Sequence, residues 1–284
     1  MIGIVDVGGG VRGVYSSGVY DCFIDNGFKA DYGIGVSAGA ANLITYFAGQ
    51  RGRTLEFYRT YTRRKEYMSL GNILKVGSLL NLGYFFDTLS SHSGENPLDY
   101  DAFKKADIPF YAVATKVSNG ESTYFGNDSF DQDSYDVLKA TCSLPVVAKP
   151  VKIGGEDYLD GGLSDPIPIE KAFSDGCDKV ILVLTKKREA YLKPISITPL
   201  LQKSHLRNKT IAVLALSLHL KCQKALKVAE EYEKQGKVII IEPESCFGMK
   251  TFTKDTELIM KLYKSGYEDA EKCMLEVGNN LGRA

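Results

Sequence analysis

Two stretches decide how this chain is read: Met1-Ile2-Gly3-Ile4-Val5-Asp6-Val7-Gly8-Gly9-Gly10-Val11-Arg12-Gly13, and Tyr32-Gly33-Ile34-Gly35-Val36-Ser37-Ala38-Gly39. Residues 2–7 form a short, mostly apolar run, the pattern of a short buried strand, and three glycines break it. Between the two stretches Tyr15, Val19, Cys22 and Phe23 fall on one helical face, which stops at Asn26-Gly27. Tyr32–Val36 then predicts a second strand, and residues 37–50 a second helix opened by small side chains. Strand, helix, strand, helix at this spacing predicts an α/β layered fold on a mainly parallel sheet.

Further along, residues 110–114 and 180–185 read as strands, the latter buried on both faces. Residues 151–159 read as a hairpin around Gly154-Gly155. The tail changes character. Ile211, Leu214, Leu218, Cys222, Ala225, Ala229 and Tyr232 recur at helical spacing, giving a long amphipathic helix with a Lys/Glu-rich outer face. A strand over 237–241 and a helix over 253–275 follow, with Thr253 as its expected N-cap. The best boundary lies around 193–199, so residues 1–190 are expected to form the main domain. Residues 191–284 would then be a mostly helical α/β extension that packs on it or completes the same sheet.

Composition narrows the function. The chain has 284 residues, 44% hydrophobic and 25% charged, enough for a substantial core and unlike a disordered protein. Lys+Arg and Asp+Glu balance at 35 each, so no global field recruits nucleic acid. The six cysteines are scattered, with no Cys-x-x-Cys pair or His cluster, which predicts reduced thiols and no metal or other cofactor. Without a basic, then long apolar, N-terminal run, a cytoplasmic protein is the expectation.

Gly35-Val36-Ser37-Ala38-Gly39 is a G-x-S-x-G sequence at a strand-to-helix turn, the context in which this motif lifts a serine hydroxyl clear of a sheet as a nucleophile. Gly8-Gly9-Gly10-Val11-Arg12-Gly13 fits two uses. As G-x-G-x-x-G it suggests a dinucleotide site, but that site needs an acidic residue at the end of the second strand, where Val36-Ser37 stand instead. The other use is an oxyanion hole, with glycine N–H groups at a helix start facing the Ser37 turn and Arg12 bracing the loop or adding positive potential. A base for Ser37 is harder to find. None of His92, His205 and His219 lies in a strand-end loop, so a carboxylate is the better candidate. Asp160-Gly161-Gly162 presents one after the hairpin, although an ordinary Asp-Gly turn would read the same way.

Together these elements resemble the patatin-like phospholipase family. The family's G-G-G-x-R-G loop corresponds to Gly8–Gly13, its G-x-S-x-G to Gly35–Gly39, and its D-G-G/A to Asp160-Gly161-Gly162, in the family's order. The run from Ala140 to Pro150 resembles its S-x-A-x-P-x-x-F-x-P segment, departing at Leu144 and Val147, and Asp165 departs from the continuation after Gly162. The resemblance implies a three-layer α/β/α sandwich and a Ser-Asp dyad acting on lipid esters. Ser37 would attack, Asp160 would take its proton, and the N–H groups of Gly8, Gly9 and Gly10 with that of Ala38, helped by Arg12, would hold the oxyanion. An acyl lipid or phospholipid is the implied substrate, met in transient contact with a membrane surface. Residues 67–96, rich in leucine and aromatics and preceded by Arg59, Arg63, Arg64 and Lys65, would either cover the substrate or form core. Two rival functions stay open: a non-catalytic lipid- or protein-binding module on this fold, and a nucleotide-binding protein using the glycine loop.

Overall fold

A computed structural model describes residues 1–194 and 208–281 of the chain; the expected boundary at 193–199 falls largely outside them, and His205 entirely so. In chain order the elements are β1 (Ile2–Asp6), α1 (Val14–Asp25), β2 (Tyr32–Val36), α2 (Ala38–Phe47), α3 (Arg53–Thr60), α4 (Gly71–Lys75) and α5 (Tyr100–Ala106). Then come β3 (Phe110–Lys116), β4 (Ser122–Phe125), α6 (Asp136–Thr141), β5 (Val151–Ile153), β6 (Glu156–Asp160), α7 (Ile169–Ser174) and β7 (Lys179–Val183). The tail adds α8 (Lys209–Lys234), β8 (Val238–Ile241) and α9 (Thr256–Leu281).

The strands make one mixed sheet of eight, hydrogen-bonded in the succession β5-β6-β3-β2-β1-β7-β8, with β4 also paired to β3. Its centre is parallel: β1 pairs with β2 and β7, β2 with β3, and β7 with β8. β4, β5 and β6 are antiparallel additions. The buried central strands explain the apolar runs. Ile4 and Ile181 point into the core beneath α1, α2 and α9, whereas Val5 and Leu182 point into a second core against α7 and α8. This alternation makes the three-layer α/β/α sandwich with a helical C-terminal extension.

The extension is joined to the rest at both levels. β8 adds an edge strand to β7, and α9 crosses α1 so closely that a Cβ on Gly18 would lie 2.1 Å from the Tyr263 carbonyl, and one on Gly266 2.0 Å from that of Tyr15. Around this crossing Tyr263 donates to Asp21 and Tyr15 to Asp269, each at 2.9 Å. α9 begins later than expected. Asp255, not Thr253, caps it by accepting from the N–H groups of Glu257 and Leu258, while the Thr253 hydroxyl accepts from Lys250. The expected hairpin is present, with Gly154 and Gly155 both at positive φ (58° and 87°), as a tight primed turn requires.

Candidate active site

β1 and β2 run parallel with α1 crossing on one side of β1, and β7 lies on its other side, so the strand order reverses at β1. A crevice opens at the carboxyl ends of strands at such a switch point. The glycine loop leaves β1 into it, Ser37 leaves β2, and Thr185 follows β7.

Ser37 sits on strained backbone. Its φ of 56° with ψ of −130° is unusual for a residue with a Cβ, and it makes the sharp strand-to-helix turn. The turn is held from below, where the Ser37 N–H donates to the buried Thr141 hydroxyl at 2.8 Å. The flanking glycines are required by space: a Cβ on Gly35 would lie 2.4 Å from the Ala40 Cα, and one on Gly39 2.5 Å from the Asp6 carbonyl. Gly13 accepts at its carbonyl from Asn42 and Ser16, tying the end of the loop to α2.

Asp160 reaches the same place by strand register. β4 pairs with Ala112 to Thr115 of β3; β2 pairs with β3 up to Val113, and β6 pairs from Ala114 onward. β2 and β6 therefore share the β3 edge opposite β4 and meet end to end, Val36 across from Val113 and Asp160 across from Ala114. The Asp160 backbone is fixed by its N–H on the Ser143 carbonyl and by the Thr115 hydroxyl on its own carbonyl. Gly161 packs so tightly that a Cβ would lie 2.2 Å from the Val113 carbonyl. The carboxylate is buried. Its Oδ1 accepts from the Gly162 N–H at 2.8 Å, while Oδ2 has no hydrogen-bond partner among the described residues. Burial pushes its pKa up to about 6, against the opposing pull of the Ser37 hydroxyl and the Gly162 N–H. The Cys142 thiol is close to both Asp160 and Ser37: burial, then the Asp160 charge, raises its pKa well above normal, against the pull of the Ser37 hydroxyl.

The glycine loop is organised by a residue that the sequence reading passed over. Asp6, fully buried at the end of β1, accepts from the Gly8 N–H through Oδ1 and from the Tyr20 hydroxyl through Oδ2, each at 2.9 Å. This narrows the expected oxyanion donors, because the Gly8 N–H is already committed to Asp6. Gly8 serves instead by shape: a Cβ there would lie 2.3 Å from the Val36 carbonyl and 3.1 Å from the Ala38 nitrogen. Gly10 opens a 3-10 turn and Ala38 opens α2, positions whose N–H groups have no intrahelical acceptor. The C-terminal extension closes the other side. Val11 donates to the Thr251 carbonyl at 2.9 Å, and Thr251 abuts Gly10.

Two adjoining cavities share Ser37, Gly10, Leu144, Thr251 and Phe252 on their walls. One is a narrow apolar slot of about 40 Å³ lined by Phe57, Tyr58, Leu80, Leu82, Phe85 and Phe86. The other is a chamber of about 450 Å³ that contains Gly8, Gly9, Arg12, Asp160, Gly162, Lys186 and His219. Residues 67–96 thus divide: Leu80, Leu82, Phe85 and Phe86 are core that walls the slot, whereas Leu70, Ile73, Leu74 and Val76 are exposed. The basic cluster that precedes them lies elsewhere. Arg59 pairs with Glu56, Arg64 with Glu95, and Arg63 reaches Thr256, away from both cavities. Of the histidines, His92 is exposed against Asp133, while His219 lines the chamber. Leu144 and Val147, the departures in the 140–150 segment, form part of the cavity wall, and Asp165 accepts from Tyr124 outside it. No cluster of three metal-binding side chains occurs among the described residues.

The described residues include no helix long and apolar enough to cross a membrane. A profile of the patatin-like phospholipase family matches residues 7–173, and one of a domain of unknown function matches 209–282. The protein YjjU of Escherichia coli K12, itself uncharacterised, is 29% identical over 198 residues, covering 68% of this chain and 54% of that protein. An uncharacterised NTE family protein of Mycobacterium bovis is 26% identical over 182 residues, covering 64% of this chain and 48% of that one. A protein named lysophospholipase NTE1, from Cryptococcus neoformans, is 23% identical over 64% of this chain and 11% of its own. The crystal structure of VipD from Legionella pneumophila superposes with a TM-score of 0.47 at 12% identity, over 95% of this chain and 66% of that one. The chain spans about half the length of the first two relatives. With a family profile matched over more than half its length, the chain belongs to the patatin-like phospholipase family.

Proposed function

We propose that this protein is a serine acyl hydrolase that cleaves carboxylic esters of lipids, as a phospholipase A, lysophospholipase or general lipid acyl hydrolase, through an acyl-Ser37 intermediate with Asp160 as base. One observation carries the reading: β2 and β6 meet end to end on one edge of β3, so a strained serine shares a cavity with a buried carboxylate whose Oδ2 has no hydrogen-bond partner among the described residues. Ser37 Oγ attacks the ester carbonyl as Asp160 takes its proton. The N–H groups of Gly9, Gly10 and Ala38 stabilise the oxyanion, each good donor contributing on the order of 3 kcal/mol. The tetrahedral intermediate collapses, the leaving alcohol takes the proton from Asp160, and the acyl group stays on Ser37. Asp160 then deprotonates a water that attacks the acyl carbonyl, and Ser37 recovers its proton as it leaves. An Asp160 pKa near 6 makes it a better base than an exposed carboxylate and still leaves it ionised at neutral pH.

The apolar lining of the slot beside Ser37 suits contact with an acyl chain, and the printed name of the Cryptococcus relative is in keeping with a lysophospholipid. Leu70 and Leu74, 77% and 92% exposed in the segment between the slot-lining residues Tyr67 and Leu80, are suited to transient contact with a lipid surface. A fluorophosphonate probe tests the reading: it is expected to add one equivalent at Ser37, and Ser37→Ala to abolish both labelling and p-nitrophenyl ester turnover. Labelling that persists in Ser37→Ala would remove Ser37 as nucleophile. Absence of labelling and of turnover in the parent protein would turn the reading to a binding module.

A further inference from the structure

The larger chamber beside Ser37 carries a charge that the chain as a whole does not. Acidic and basic residues balance over the sequence, yet this cavity is lined by Arg12, Lys186, Lys193 and His219, with Asp160 as the acid among its described lining residues. Three elements converge on it: the glycine loop brings Arg12, the segment after β7 brings Lys186, and α8 brings His219.

These groups are short of partners. Arg12 Nε and His219 Nδ1 are buried without a hydrogen bond among the described residues. Lys186 Nζ donates to the Ala190 carbonyl at 3.1 Å and rests 4.0 Å above the Tyr191 ring, with no carboxylate partner among the described residues. Burial, then the Arg12 charge, lowers the Lys186 pKa. Arg59 and Arg64, by contrast, each hold a carboxylate in solvent. Like charges brought together under partial burial cost free energy unless an anion joins them, and here the unmatched donors line a cavity large enough to admit one.

We propose that Arg12, Lys186 and His219 form an anion subsite for the phosphate of an acidic single-chain amphiphile, so that the substrate ester carries its phosphate in the chamber and its acyl chain in the slot. The proposal rests on the hydrolase reading only for the word substrate, since the subsite binds without any bond being broken. It also gives the C-terminal extension a task, because His219 belongs to it: selection of phosphate-bearing lipids over neutral glycerides.

The test uses the full chain carrying Ser37→Ala, titrated calorimetrically with octyl phosphate, octanol and inorganic phosphate. Octyl phosphate is expected to bind at least about tenfold more tightly than either of the others, since charge-assisted hydrogen bonds and chain burial then act together. In the same background Lys186→Glu and His219→Leu should each weaken octyl phosphate by about tenfold or more, and Lys186→Arg by less than about threefold. Equal affinity for octyl phosphate and octanol overturns the proposal, as does an unchanged affinity in both weakening variants. Inorganic phosphate binding as tightly as octyl phosphate overturns the lipid assignment. Should Lys186→Glu fail to fold, Lys186→Gln with His219→Leu decides the matter. Tight octyl phosphate binding in a protein whose Ser37 never labels would sink the hydrolase reading and leave the subsite standing.

Discussion

Asp6 and Asp160 end two strands of the same sheet, are both buried, and are both pushed up to about 6 by that burial. Their surroundings differ in one respect. Asp6 spends both oxygens, on the Gly8 N–H and the Tyr20 hydroxyl, whereas Asp160 spends one on Gly162 and leaves Oδ2 without a hydrogen bond among the described residues, with Ser37 beside it. A raised pKa alone therefore does not mark a base. On the proposed reading the base is the carboxylate that lines the cavity with an oxygen to spare, and the filled carboxylate is a residue that holds a loop in shape.

The largest expected effect breaks this pair apart. Asp160→Asn should lower kcat/KM for a p-nitrophenyl ester by about 10³-fold, within the range for losing a general base. Asp6→Asn keeps an oxygen for Gly8 and should cost less than about tenfold. Equal losses would erase the distinction. The pH profile follows from the sign of the shift. A base must be ionised, so kcat/KM should fall tenfold per unit below about 6 and level off above it. Stability runs the other way. Because the folded pKa lies above the ordinary 3.8, the folded state holds its proton longer, and stability is lost as pH rises from about 4 to 6. Asp160→Asn should thus be more stable than the parent at pH 8 by roughly 2–3 kcal/mol, with the gap closing near pH 4 in urea titrations.

Asp6→Ala tests the other member. It strands the Gly8 N–H and the Tyr20 hydroxyl in the core, which should cost roughly 2–4 kcal/mol of unfolding free energy. Activity should fall with it, since the loop carrying Gly9 and Gly10 loses its anchor. A full-strength enzyme in Asp6→Ala would show that the loop is held by Thr185 and Thr251 instead.

How legible these features were in the sequence depended on their range. β1, β2 and the hairpin at Gly154-Gly155 follow from local pattern, because a doubly buried strand has no alternation and a primed turn needs glycine. The neighbourhood of Ser37 was legible from its glycines. Asp6 was not: one acid in an apolar run looks like a strand end, and its partners, Gly8 across the turn and Tyr20 a full helix away, exist only once α1 has packed. His219 was missed for a similar reason, since helical periodicity gives a face but not what lies opposite it. The sequence basis for the basic cluster at 59–65 was proximity along the chain, whereas the ion pairs of Arg59 and Arg64 depend on folded neighbours. β4, four partly buried residues added to β3, gave no strong pattern at all.

The smallest effect concerns the backbone under the proposed nucleophile. Ser37 holds φ 56° and ψ −130°, a conformation that glycine adopts without penalty and alanine does not. Ser37→Ala and Ser37→Gly both remove the hydroxyl beside Asp160, so their difference isolates the backbone. Strain of about 1–3 kcal/mol is relieved in Ser37→Gly, against about 0.5–1 kcal/mol for the greater freedom of glycine in the unfolded chain. Ser37→Gly should therefore exceed Ser37→Ala in unfolding free energy by about 1 kcal/mol in paired urea titrations. The same comparison in an Asp160→Asn background should give the same difference, because the strain belongs to the turn braced by Thr141 and Gly39, not to the carboxylate. If Ser37→Gly is instead the less stable of the two, the turn stores no strain. The exposure of Ser37 would then rest on the packing of Gly35 and Gly39 alone.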